Sequence, residues 1–238
     1  MQSVVIEGIV LQKINYSETS IIVKLLTEHE GVKSFIFPGA KSKKKKGNLI
    51  SPLAILSVTY FQRNSNSLAT IQEIEPSIIF REIPFNPYKS SILFFMNEVL
   101  NNTVKEQEDN SELFQFLKSA IQILDLSNNI ANFPIKFLLQ LTKYLGFSPK
   151  INEDARYFDL REGCFVKNIP AHPLFVSEHL SKLLISFTIN KLDDANDPNI
   201  DLITRRKLTG ELINYYRLMF DNFKELQSLA VIEATFHE

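Results

Sequence analysis

Five lysines occupy six positions at Lys41, Lys43, Lys44, Lys45 and Lys46, in a segment bounded by Gly39 and Gly47. Ammonium groups at that density can neutralise successive phosphates of a polynucleotide and release its condensed counterions, so the chemistry they offer is polyanion binding. The flanking glycines tolerate positive φ and weaken a helix, which makes the run a loop. A hydrated turn that only protects a sheet edge is the competing reading of the same residues.

Residue types capable of covalent chemistry are present but not arranged for it. Cys164 is the single cysteine, and no G-x-S-x-G elbow occurs. His29, His172, His179 and His237 are widely spaced, with no pair at the spacing of helical metal ligands. Asp193, Asp194, Asp197 and Asp201 lack the turn glycine and closing glutamate of a calcium loop, so they read as a solvated loop. The segment from Gly39 to Gly47 lacks the order G-x-x-x-x-G-K-[ST] of a phosphate loop, and Pro52 follows where a helix would start. The expectation is a protein that is not an enzyme and uses no metal or cofactor.

The totals bound the rest. The chain has 238 residues, 45% of them hydrophobic, and a formal net charge of −1. That is enough for a large buried core. Charge is unevenly spread: residues 1–80 carry nine Lys+Arg against six Asp+Glu, and the remainder 17 against 21. Affinity for nucleic acid must therefore be local. One cysteine excludes an internal disulfide and fits a reducing compartment. The opening Met1-Gln2-Ser3-Val4-Val5-Ile6-Glu7 has no basic leader, and no apolar run approaches a membrane span, so a cytoplasmic protein is expected.

The elements that must carry the lysines are strands. Residues 4–11, 20–26, 31–37, 54–62 and 68–75 are β-branched and aromatic-rich runs separated by polar segments such as Asn15-Tyr16-Ser17-Glu18. Several runs are apolar on both faces, which suits a small closed barrel, and five strands suggest an OB-fold. The lysine arm is then the loop between the third and fourth strands. Phe35 and Phe37 share a strand face with Lys33, while Tyr60 and Phe61 precede Arg63. These aromatics serve either base stacking or the barrel core.

Pro76, Pro84 and Pro87 end the β pattern, and the period then changes from 2 to 3.6. We divide the chain into a barrel over residues 1–80 and a helical domain over 81–238. The helices are predicted over 88–105, around Leu113 to Leu124 with Asn110 or Ser111 as cap, from Phe133 to a stop at Gly146, over 177–187, and over 204–220. A small β-hairpin is predicted near 156–167, around Gly163. The fold class is α+β and multidomain.

Taken together, Gly8-Ile9-Val10-Leu11, Tyr16-Ser17-Glu18-Thr19-Ser20-Ile21-Ile22-Val23 and Pro38-Gly39-Ala40-Lys41 resemble the N-terminal barrel of the RecO family. Leu145-Gly146-Phe147-Ser148-Pro149, Phe158-Asp159-Leu160, Gly163-Cys164-Phe165 and Tyr215-Tyr216-Arg217 are similar to segments of that family's helical body. The resemblance implies a recombination mediator in DNA repair that binds single- and double-stranded DNA and anneals complementary strands. It further implies partnership with RecR and with the acidic C-terminal tail of single-strand-binding protein, and help in loading RecA. By position, Lys41 and the lysines at 43, 44, 45 and 46 fall in the family's basic loop. Lys13 and Lys33 match basic or polar barrel positions more loosely, and Arg63 completes the set of candidate DNA contacts. Many relatives hold zinc through four cysteines near the hairpin, where this chain keeps only Cys164. Tyr157, Phe158, Phe165 and Val166 must then hold the hairpin by apolar packing. Lys136, Lys143, Arg156 and Arg161 are candidates to receive the acidic tail. The alternative is a protein-interaction adaptor whose barrel is a scaffold without DNA affinity.

Overall fold

The computed structural model describes residues 3–42, 46–63, 67–105, 111–152, 154–194 and 196–235. They group into two compact units, residues 1–85 with 104–125, and residues 86–103 with 126–238.

In the first unit, five strands close a barrel: β1 (Val4–Asn15), β2 (Ile21–Thr27), β3 (Val32–Phe37), β4 (Ile55–Phe61) and β5 (Ala69–Pro76). Their order is β1-β2-β3-β5-β4, closing back onto β1, as in an OB-fold. β1 serves two neighbours. Val4 to Ile9 pair with β4, and Gly8 to Asn15 pair with β2, with a register shift between Val10 and Gln12 that lets the strand turn the corner. A short parallel pairing of Phe35 with Ala69 and Ile36 with Thr70 joins β3 to β5. Inside lie Val23, Leu25, Phe35, Phe37, Val58 and Ile71, all buried. Each such side chain contributes about 1.5–3 kcal/mol on leaving water.

Helix α2 (Ser111–Leu126) is bonded to this barrel. Lys118 Nζ meets Glu7 Oε2 at 2.5 Å, and Gln115 donates to Glu28 at 2.9 Å. The buried carboxylate of Asp125 accepts from the backbone N–H groups of Arg81, Glu82 and Ile83 at 2.7–2.9 Å. It thereby satisfies donors that a short 3-10 turn, Ile83–Phe85, leaves open.

The second unit contains helices α1 (Pro87–Thr103), α3 (Phe133–Tyr144), α4 (Glu178–Ile189), α5 (Leu202–Met219) and α6 (Gln227–Thr235). Gly146, at φ 82°, follows the end of α3, and Asp201 caps α5 by accepting from Thr204 N at 2.7 Å. The hairpin from Tyr157–Asp159 (β7) to Cys164–Val166 (β8) forms, but as the centre of a four-stranded sheet. Lys150–Ile151 (β6) adds parallel to β8, and Phe175–Val176 (β9) adds antiparallel to β7.

The sheet is held by aromatic packing. Phe158 stacks on Phe165 at 4.6 Å, Tyr215 meets Phe158 edge-on, and Phe147 contacts Tyr215 and Tyr216 at 5.3 and 5.0 Å. Tyr215 donates to the carbonyl of Phe147 at 2.6 Å, and burial pushes its phenol up to about 12.

The aspartate-rich loop differs from a solvated one. Asp197 is buried with Lys136: their side chains are 4% and 1% exposed and meet at 3.0 Å. Lys136 also donates to the Asp194 carbonyl at 3.2 Å, while Asn132 and Arg205 bond to the carbonyls of Pro198 and Ile200. The sequence shows four acidic residues in a loop, but not that a lysine of α3 is buried beneath them.

Candidate nucleic-acid interface

The basic segment leaves β3 through Gly39, at φ 67°, and returns through a 3-10 turn at Gly47–Leu49. Its two ends touch. A Cβ on Gly47 would lie 2.1 Å from the Ala40 carbonyl oxygen, so only glycine permits this closure. Beyond it, Leu53 N donates to Val10 O at 2.8 Å and Val10 N donates to Ala54 O at 3.0 Å, which ties the return limb to β1.

Two lysines fasten the arm's root. Lys13, on β1, donates through Nζ to Gly47 O at 3.2 Å and Ile50 O at 3.4 Å. Lys41 donates through Nζ to Ser17 O at 2.9 Å, and its backbone N–H to Thr19 O at 3.3 Å. Neutral carbonyls fix these ammonium groups without cancelling their charge. Between them opens a cleft of about 460 Å³, and the described residues lining it include Lys13 and Lys41 but no acidic side chain.

The remaining sequence-derived candidates fall in different settings. Lys43, Lys44 and Lys45 lie outside the described residues. Lys46 is half-exposed, 3.9 Å from Glu75. Arg63 is exposed, two residues past the end of β4. Lys33 is engaged internally: it meets Glu30 at 2.5 Å and Tyr60 OH at 3.2 Å, with its ammonium 4.6 Å from the Tyr60 ring centre. Partial burial pulls the Lys33 ammonium down, but the bonds it donates to Glu30 and Tyr60 outweigh that and hold it above the usual lysine value. Thus the structure gathers Lys13, Lys41 and Lys46 about one loop and sets Lys33 into a separate polar knot.

The aromatics resolve toward packing. Phe35 and Phe37 are wholly buried and Tyr60 nearly so, with Phe35 edge-on to Tyr60 at 5.1 Å. Tyr16, 61% exposed, faces water at the start of the turn whose Ser17 carbonyl holds Lys41. By sequence Tyr16 is a turn residue, and only the arm's attachment to that turn marks it out.

The residues near the hairpin do not fit a four-cysteine zinc site. Cys164 stands alone, burial and then Asp159 and Glu162 push its thiol up, and the described residues contain no group of three or more histidine, cysteine or acidic side chains placed to hold a metal. Among the described residues no helix is long and apolar enough to cross a membrane.

A closed OB-type barrel with a cationic arm anchored at its root defines an OB-fold protein with a basic loop. Residues 1–80 match the family model "Recombination protein O N terminal" and residues 84–219 match "Recombination protein O C terminal". The chain is 35% identical over 235 residues to "DNA repair protein RecO" of Flavobacterium psychrophilum, covering 97% of this chain and 98% of that one. It is 34% identical to the protein of the same name in Flavobacterium johnsoniae, covering 97% and 98%. A third, from Phocaeicola vulgatus, is 34% identical and covers 96% and 97%. The chain belongs to the RecO family.

Proposed function

We propose that this chain is a DNA-binding recombination mediator of cytoplasmic DNA repair. It anneals complementary strands and helps load a recombinase of the RecA type onto single-stranded DNA coated by single-strand-binding protein. Residues 1–80 bind single- and double-stranded DNA, and the helical part, within 81–238, meets protein partners, RecR and the acidic tail of single-strand-binding protein. It performs no catalysis of its own.

The observation that carries the reading is the pair of lysines, Lys13 and Lys41, fixed by carbonyl oxygens at the root of a lysine-rich arm and lining a cleft with no acidic side chain among its described residues. Cations held this way meet phosphates without first breaking an internal ion pair, so counterion release is the main gain. For the acidic tail, Lys136 is unsuited because it is buried with Asp197. Lys143, Arg156 and Arg161 are exposed. A small apolar crevice of about 20 Å³ lined by Pro134, Leu202, Leu229 and Ile232 sets apolar surface beside Arg205 and Arg206, a combination that suits an acidic tail.

Two assays test this. Purified protein should retain labelled oligonucleotide on a filter at low salt, release it as salt rises, and speed the pairing of complementary strands. The adaptor reading is favoured by the pairing of Lys33 with Glu30 and of Lys46 with Glu75. It expects no salt-sensitive retention at all.

A further inference from the structure

We propose that the cleft at the root of the arm holds one unpaired base of a single DNA strand, with an adjoining phosphate on Lys13 and Lys41. This deepens the DNA-binding reading and rests on it. The cleft's 460 Å³ falls inside the roughly 300–1,000 Å³ of small-ligand sites. Its walls have the composition a base requires. Ile21 and Ala40, 1% and 4% exposed, give apolar surface at the base of the cleft. Asn15 and Asn48 line it as exposed residues, and each amide offers both a donor and an acceptor to the edge of a base.

Both charges line the same cleft. Lys13 is held by Gly47 O and Ile50 O, and Lys41 by Ser17 O, so each ammonium keeps its full charge and a donor to spare. The cleft is also preformed. Ala40 and Gly47 are in contact at its back, and the Lys13 and Lys41 bonds tie both limbs of the arm to the β1 and β2 hairpin, so little ordering is left to be done on binding. A base in a duplex is stacked and paired and reaches such a cleft only by flipping out, whereas a base in a single strand is free to enter. Strand separation is therefore read here as an available base.

The test uses the full chain and fluorescence anisotropy at one salt concentration, with three probes: a short oligothymidylate, an abasic oligomer of equal length, and a duplex. Wild-type protein should bind the thymidylate about tenfold tighter than the abasic oligomer. Ser42 also lines the cleft and is exposed, so Ser42→Trp fills it without removing a charge and should cut that ratio about threefold or more. Asn48→Ala, at an exposed position, should reduce the same ratio and serves if the tryptophan variant does not fold. Equal wild-type affinity for thymidylate and abasic oligomer overturns the proposal, as does an unchanged ratio in a folded variant. A wild-type protein that binds none of the three probes removes the DNA-binding reading itself, which is a different failure.

Discussion

The Lys41 ammonium donates to the carbonyl oxygen of Ser17 at 2.9 Å, so the first cation of the lysine arm is fastened to the turn between β1 and β2. Arm and turn thus form one unit on the barrel, and what the turn exposes lies beside what the arm binds. Tyr16 opens that turn, with its backbone N–H on Ser20 O at 3.1 Å and its ring in water.

Tyr16 is therefore expected to stack on a base. Tyr16→Ala should weaken single-stranded DNA binding by about 1–3 kcal/mol, and Tyr16→Phe should restore it, because the stacking surface rather than the hydroxyl does the binding. Duplex affinity should be unchanged in both. Equal losses for alanine and phenylalanine would assign the effect to the hydroxyl instead.

Lys136 and Asp197 form a buried pair that pins the loop of residues 190–201 to α3. Lys136→Met leaves the Asp197 carboxylate buried without its cation and should cost about 3–5 kcal/mol in urea unfolding. Adding Asp197→Asn to it should recover part of that loss. A single variant as stable as wild type would show that water or another group compensates the carboxylate.

Acid should loosen the attachment of α2 to the barrel. Partial burial pushes the Glu7 carboxyl up, but bonds from Lys118 and Ser77 and the Lys118 charge outweigh it and hold it below the usual glutamate value. A lowered folded value means that the pair stabilises the protein above the unfolded glutamate value, about 4.3, and that this contribution disappears as pH falls through the folded one. Glu7→Gln should be less stable than wild type by about 1 kcal/mol at neutral pH. The gap should close at low pH in thermal melts, and a gap independent of pH would contradict the assignment.

The barrel was legible because its strands are dense in β-branched and aromatic residues, and the five runs read from the sequence match β1 to β5 within a few residues. β1 runs on to Asn15, past its apolar half, because Gln12 to Asn15 pair with β2 although all four are exposed. Apolar patterning is silent where neither face is buried. The hairpin was legible from Gly163, at φ 63°, but its flanking strands are two residues each and carry no period. Helix α6 is too short to show one either.

The site was legible in composition but not in pairing. The lysine run declares itself, whereas the fate of Lys33 depends on Gly31, at φ 62°, turning Glu30 back beside it. Lys13 lies 34 residues from Gly47, and only barrel closure brings them within 3.2 Å. Asn15 and Asn48 reach one cleft by the same route.

The most direct measurement is the slope of log affinity for single-stranded DNA against log salt concentration. It should be compared among wild type, Lys33→Ala, and a variant with Lys41, Lys43, Lys44, Lys45 and Lys46 all changed to alanine. The arm variant should bind more weakly, with its slope flattened by about 0.7 for each phosphate the arm no longer neutralises, while Lys33→Ala keeps the wild-type slope. An arm variant whose affinity and slope both equal those of wild type would contradict the account.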